Sequence, residues 1–284
     1  MHIYERPRDL ETALALLAEG DWQVMAGGTD IYPARVDRPL ERPLLDITAI
    51  EALHGIEETG EGYRLGACLR WSELRDRPLP PIFDGLRKAA ATIGGRQIQN
   101  RATLGGNLCN ASPAADGIPV LMALEAVVEL RSLRGVRRIP LVDFVRGNRC
   151  TALAPDELLT AVLLPRPRGR SRTTFLKLGS RAHLVISITM IALALDCDPA
   201  GRILRAGVAV GACAPTARRL PLLESRLLGR DLAEPLATAV DTAVLAPLAP
   251  IDDIRGTAAY RRRATLVLLR RGLAELATPL RGAA

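Results

Sequence analysis

The sequence predicts an α+β protein in two parts: a mixed α/β region to about residue 170, and a smaller α+β region after it. Three observations carry this. Strand-like and helix-like segments alternate from the N-terminus to the middle of the chain, as the period of the apolar residues indicates. The stretch PRPRGRSR at 165–172 then reads as a linker, with two prolines, a glycine and four arginines. Beyond it the pattern changes to long apolar runs and then to alanine- and leucine-rich segments. With 48% hydrophobic and 24% charged residues, the composition is that of a folded globular chain rather than a disordered one.

Asp9 is placed to cap a helix over Leu10–Glu19 that stops at Gly20. Strands are expected at 22–26, 43–48 and 63–68, a helical turn at 71–75, and a helix at 83–91 closed by Gly94-Gly95. Ser112 and Pro113 are expected to open a helix through 114–124, with proline in the first turn, where its missing N–H costs nothing. Strands follow at 127–131, 137–140 and 158–164. Residues 174–178, 186–196 and 203–212 read as long strands, or a strand with a buried helix. Helices follow from Leu220 onward, the last amphipathic with Arg261, Arg262, Arg263, Arg270 and Arg271 on a face that is solvated or meets an acidic partner protein.

The net charge of +7 raises the question of nucleic acid, but the charge is scattered arginine and aromatics are only 3%, poor material for stacking bases. Five cysteines, widely spaced and without a C-x-x-C pair, fit free thiols in a reducing compartment. They argue against an iron–sulfur or zinc centre within the chain, which needs clustered thiolates. The three histidines, His2, His54 and His183, form no metal-ligand pair. The opening residues lack the apolar core of a secretory leader and no apolar run is long enough for a membrane span, so a cytoplasmic location is expected. No nucleophile triad or metalloprotease motif occurs, so any chemistry would come from a cofactor.

Two glycine pairs stand out, AGGTD at 26–30 and TLGGN at 103–107, each expected to join a strand to a helix. Tight turns and helix N-termini present backbone N–H groups to phosphate oxygens, and glycine allows a close approach. Gly27 and Gly28 would give that approach, Thr29 a hydroxyl, and Asp30 a bond to a ribose hydroxyl or a means of orienting the loop. Gly105 and Gly106 would act likewise between Thr103 and Asn107, with Asp116 on the next helix facing back. A single Gly-Gly is ordinarily only a turn; two in matching contexts leave both a plain turn and a dinucleotide site open. No Walker loop and no G-x-G-x-x-G is present.

These motifs and three others in order resemble the FAD-binding (medium) subunit of molybdenum hydroxylases, the xanthine dehydrogenase and carbon monoxide dehydrogenase group, within the wider superfamily of vanillyl-alcohol oxidase and p-cresol methylhydroxylase (PCMH) flavoproteins. They are AGGTDIYP (26–33), QIQNRATLGGNLCNASPAAD (97–116), PDELLTAVLLP (155–165), FLKLGSR (175–181) and DDIRGTAAYRRR (252–263), spread over nearly the whole chain. The resemblance implies a PCMH-type FAD-binding domain over 1–170, with subdomains at about 1–55 and 56–170. A C-terminal domain of the CO dehydrogenase flavoprotein type, an antiparallel sheet with helices, would occupy 171–284. It implies that FAD is held by Ala26, Gly27, Gly28, Thr29, Asp30, Ile31, Ala102, Thr103, Gly105, Gly106, Asn107 and Asp116. Ile93 and Leu159 would pack against the cofactor, and Lys177, one of only two lysines, would lie near the flavin.

The family's partners are implied too: a large molybdenum–pterin subunit and a small subunit with [2Fe-2S] clusters, in a dimer of heterotrimers, with this chain passing electrons from the clusters through FAD to a terminal acceptor. Neither a catalytic residue nor a metal ligand is expected in this chain. Gln99 stands where the family usually has arginine, and 182–186 lacks an acidic pair that some relatives carry. His183 reads as a packed loop histidine. The competing reading is a stand-alone flavin-dependent oxidase or reductase of the vanillyl-alcohol oxidase superfamily, which requires catalytic side chains over the ring; the aromatic-poor region after residue 172 offers little for that.

Overall fold

A computed structural model describes residues 4–35, 37 and 39–277; His2 and the extreme C-terminus lie outside them. From the N-terminus the chain forms β1 (Tyr4–Glu5), α1 (Leu10–Glu19), β2 (Gln23–Met25), β3 (Leu44–Asp46), β4 (Ile56–Thr59), β5 (Gly62–Gly66) and α2 (Trp71–Asp76). Four helices follow: α3 (Asp84–Thr92), α4 (Arg96–Gln99), α5 (Leu104–Asn110) and α6 (Gly117–Ala123). Next come β6 (Val127–Ser132), β7 (Gly135–Pro140), α7 (Leu141–Phe144), β8 (Val145–Gly147), β9 (Cys150–Thr151) and β10 (Leu158–Pro165). The last elements are β11 (Arg170–Leu178), β12 (Thr189–Cys197), β13 (Ile203–Gly211), β14 (Arg218–Arg219), α8 (Pro221–Leu227) and α9 (Ala258–Ala277).

These elements make two compact units that interleave along the chain. The first comprises residues 1–73, 94–112 and 126–166. It holds a three-stranded parallel sheet, β1-β3-β2, and a five-stranded antiparallel sheet, β4-β5-β10-β6-β7. Helix α1 forms as its sequence dictates: the Asp9 carboxylate accepts the Thr12 N–H at 2.8 Å and Gly20 ends the helix. Its stripe of Leu10, Ala13, Leu14 and Leu17 is buried in a core with Leu45, Ile47, Ile50, Leu53, Cys68 and Leu158.

The second unit comprises residues 74–93, 113–125 and 167–284, built on the antiparallel sheet β11-β12-β13-β14. Every residue of β12 is buried, because helices cover both faces. Gly272 of α9 lies against Leu193 and Ile191, while the α6 side meets the opposite face, with Pro119 and Met190 both close to Gly211. Gly207 of β13 lies so near the Ala123 carbonyl that a Cβ would sit 1.9 Å from its oxygen.

Several expectations are corrected. Pro113 does not open a helix: its carbonyl accepts the Ala212 N–H at 2.9 Å, and α6 starts only at Gly117. The linker is shorter than 165–172, since Pro165 closes β10 and Arg170–Arg172 already pair with 195–197. Of the two readings of the runs at 186–196 and 203–212, the long strands hold, as β12 from Thr189 and β13 from Ile203. Arg261 is buried rather than solvated, donating to the Ile188 and Ala212 carbonyls and to Asp253. His183 is exposed rather than packed. All five cysteines are free thiols, and no helix among the described residues is long and apolar enough to cross a membrane.

Candidate functional site

In the first unit the two glycine pairs come together. Strand β2 releases the chain at Met25 into the loop 26–31, where Gly28 takes φ +71°, a conformation that side chains rarely adopt. A Cβ on Gly27 would lie 2.1 Å from the Arg101 carbonyl oxygen, so this loop rests directly on the backbone leading into α5. At its far end the Asn110 amide donates to Asp30 at 3.0 Å, which gives Asp30 the task of orienting the loop. Among the described residues, the N–H groups of Gly27, Gly28, Thr29, Asp30 and Ile31 donate to no protein acceptor.

The second pair is built differently from the expected strand-to-helix turn. Gly105 and Gly106 lie in the first turn of α5, which follows α4, and Thr103 is its N-cap, accepting the Gly106 N–H at 3.1 Å. The Leu104 and Gly105 N–H groups donate to the Leu69 and Ala67 carbonyls, each at 2.8 Å. The free backbone donors are therefore mainly in the first loop; among the described residues the Thr103 N–H is the one amide of 103–107 that donates to no protein acceptor. Gly105 is required by packing, since a Cβ there would meet the Ala67 oxygen at 2.8 Å. Gly106 differs: a Cβ would meet only its own cap hydroxyl, at 3.0 Å, and otherwise open space.

Ala26, Gly105, Gly106 and Leu159 line one cavity of about 480 Å³. Trp22, Val24, Ile47 and Leu158 supply apolar wall, and Glu157 is held there by a bidentate pair of hydrogen bonds from Arg137 at 2.6 and 2.7 Å. The Asn107 side-chain oxygen is buried and has no partner in the protein. An unpartnered buried acceptor needs a donor from elsewhere, because leaving it bare costs about 1–3 kcal/mol. The cavity gives open space over Gly106 and an apolar wall, while the free N–H groups of 27–31 and the orphan Asn107 acceptor lie on the same two segments without lining it; these features fit FAD, which offers phosphate oxygens, sugar hydroxyls and flat rings. Ala102 is buried with its carbonyl accepting the Trp71 N–H, and Gln99 is buried on α4.

Ile93, Asp116 and Lys177 belong to the second unit. Ile93 directly follows α3 and is half-buried. Asp116, at the N-cap of α6, makes no capping bond. Its carboxylate accepts from Lys177 Nζ at 2.6 Å, Ser187 Oγ at 2.7 Å and Thr92 Oγ1 at 3.1 Å. Burial pushes the Asp116 carboxyl above its ordinary range, with the Lys177 charge and the three hydrogen bonds opposing it. Lys177 lines a second cavity, of about 590 Å³, with Thr92, Phe175, Gly179, Arg181 and Val185. Nothing in the sequence pointed to Thr92 or Ser187, which are 24 and 71 positions from Asp116 and carry no local pattern. Among the described residues no cluster of histidine, cysteine and carboxylate side chains could hold a metal ion.

Residues 1–167 match the family described as "FAD binding domain in molybdopterin dehydrogenase", and residues 174–276 match the "CO dehydrogenase flavoprotein C-terminal domain". The chain is 35% identical to the nicotinate dehydrogenase FAD-subunit of Eubacterium barkeri, over 69% of each chain. It is 32% identical to the nicotine 6-hydroxylase medium subunit of Paenarthrobacter nicotinovorans, over 96% of each. Among solved structures it superposes on a chain of reconstituted CO dehydrogenase from Oligotropha carboxidovorans with a TM-score of 0.87 and 30% identity, covering 98% of both.

Proposed function

The chain belongs to the family of the FAD-binding domain in molybdopterin dehydrogenase, and from that premise we propose that it is the FAD subunit of a multi-subunit molybdenum hydroxylase. It is an oxidoreductase flavoprotein. In the proposed complex it receives electrons from [2Fe-2S] clusters on a small partner and delivers them to a terminal acceptor, while a large partner carries the molybdenum–pterin group and hydroxylates the substrate. A dimer of such heterotrimers in the cytoplasm is the assembly proposed. The matches to the medium subunit of a nicotine 6-hydroxylase and to a CO dehydrogenase chain support this reading.

FAD, when bound, supplies a centre that takes up electrons and releases them singly or in pairs. The protein's own task is to hold it. The amides of 27–31, having no protein acceptor, are the proposed donors to the diphosphate, with Gly106 leaving room for it. Asn107 would accept from a sugar hydroxyl, and Leu159 with its apolar neighbours would cover a ring. Thr103 acts through the α5 cap and Asp30 through Asn110.

The observation that carries the proposal is the single cavity that Ala26, Gly105, Gly106 and Leu159 share. Purification from the native host is the test. Partners carrying molybdenum and iron should accompany the chain, and a preparation at full activity with neither metal would overturn the proposal.

A further inference from the structure

On the five-stranded sheet of the first unit, Glu129 of β6 is buried among three arginines from β5, β6 and β7. Arg138 of β7, its direct cross-strand neighbour, donates to Oε2 from Nη2 at 3.0 Å and from Nε at 3.3 Å. Arg64 of β5 reaches within 3.5 Å of Oε1, and Thr160 of β10 donates to the same oxygen at 3.2 Å. Arg131, two positions along β6 and so on the same face, brings its Nε to 3.8 Å from Oε1. Burial pushes the Glu129 carboxyl up, but the bonds from Arg138 and the charge of Arg64 outweigh it and hold the group below its ordinary range.

One carboxylate needs one counter-charge, and elsewhere in the unit that is what the arginines find. Arg137 pairs with Glu157, Arg134 with Asp156 and Arg166 with Glu58. Around Glu129, three guanidiniums share a single carboxylate, each within 3.8 Å of it, which leaves a surplus of two positive charges. Glu57, opposite Arg64 on β4, is exposed and forms no ion pair among the described residues. Arg131 carries the surplus most plainly: among the described residues its guanidinium donates to no protein acceptor, and its Nε is buried. Like charges this close repel one another. Each guanidinium also presents N–H groups in a planar fork that matches paired oxygens.

We propose that Arg64, Arg131 and Arg138 form an anion site for a doubly charged, phosphate-type oxyanion, with Glu129 holding the arginines in place from beneath. Such an ion cancels the surplus, and its several oxygens can accept from more than one guanidinium at once. The three arginines stand on strands rather than loops, which fixes their spacing. None of them lines the cavity over Gly105 and Gly106, so the inference does not rest on the function proposed above.

The test is calorimetric titration of the full-length chain with inorganic phosphate, at an ionic strength held constant with potassium chloride. Arg131→Gln should weaken phosphate binding about tenfold, as loss of one charge-assisted hydrogen bond implies. Its thermal unfolding in phosphate-free buffer should stay level or rise, because Arg131 makes no hydrogen bond within the protein. Arg64→Gln should weaken binding likewise, and Arg131→Lys should restore part of it. Arg134→Gln, whose arginine is matched by Asp156, should bind as the wild type does. Phosphate taken up elsewhere, as at the amides of 27–31, is common to all variants and cancels in the comparison. Glycerol 3-phosphate as a second probe distinguishes the sources: binding as tight as that of the free ion assigns the site to a monoester, weaker binding to phosphate itself. Equal phosphate binding by the wild type and Arg131→Gln overturns the proposal. So does tighter binding of a tetraglutamate peptide than of phosphate, which would give this face to an acidic partner protein.

Discussion

A methyl group at position 27 and a branched side chain at position 106 are expected to have different effects. The Gly27 Cβ position lies 2.1 Å from a backbone oxygen that cannot swing aside, so Gly27→Ala should cost stability, by about 1–3 kcal/mol or more, and separate the two loops. Gly106→Val projects into open space apart from the Thr103 cap hydroxyl, 3.0 Å from the Cβ position. It should cost about 1 kcal/mol, the worth of that cap, and reduce FAD occupancy by on the order of tenfold or more, since a branched side chain excludes an oxygen that must come close. Bound flavin absorbance beside thermal unfolding separates the two, and undiminished flavin in Gly106→Val would mean that α5 does not face the diphosphate. Glycine alone says that something comes close. Only the fold decides whether it is the protein's own backbone, as at 27 and 105, or a space left open, as at 106.

Helix α5 is a short element that depends on its cap. Thr103→Ala removes the acceptor for the Gly106 N–H and should destabilise the first unit by about 1 kcal/mol, measurable by urea unfolding. Across β7 and the start of β10, the hydrogen bonds from Arg137 hold the Glu157 carboxyl below its ordinary range, although burial opposes them. A depressed carboxyl contributes stability that is complete above its unfolded value, about 4.3, and is lost as pH falls through the lower folded value. Glu157→Gln should therefore flatten the acid limb of the stability curve while leaving its shape near neutrality unaltered. The sequence made α1 legible from cap to stop, because every signal in it is local. It misplaced the start of α6, where a tertiary bond from Ala212 captures Pro113. It also hid the first turns of β11, whose arginines suit an edge strand that keeps one side free of a sheet partner. The glycine motifs and Lys177 could be read from residue order; Thr92 and Ser187 could not, because only folding brings them to Asp116.

For the molecule as a whole, the cofactor and the metals should part company. Once separated from the proposed complex under mild conditions, the chain is expected to be yellow, with FAD absorbance and neither iron nor molybdenum by elemental analysis; stoichiometric metal in the isolated chain would contradict the division of labour proposed for the subunits. The net charge of +7 rests almost wholly on arginine, and the two lysines are each bound to a carboxylate. Guanidinium groups keep their proton above about pH 12, so mildly alkaline buffer cannot discharge this surface as it would a lysine-rich one. An assembly that relies on that field should survive alkali better than it survives salt. For the same reason, reagents that join neighbouring subunits through primary amines will find almost nothing here to grip.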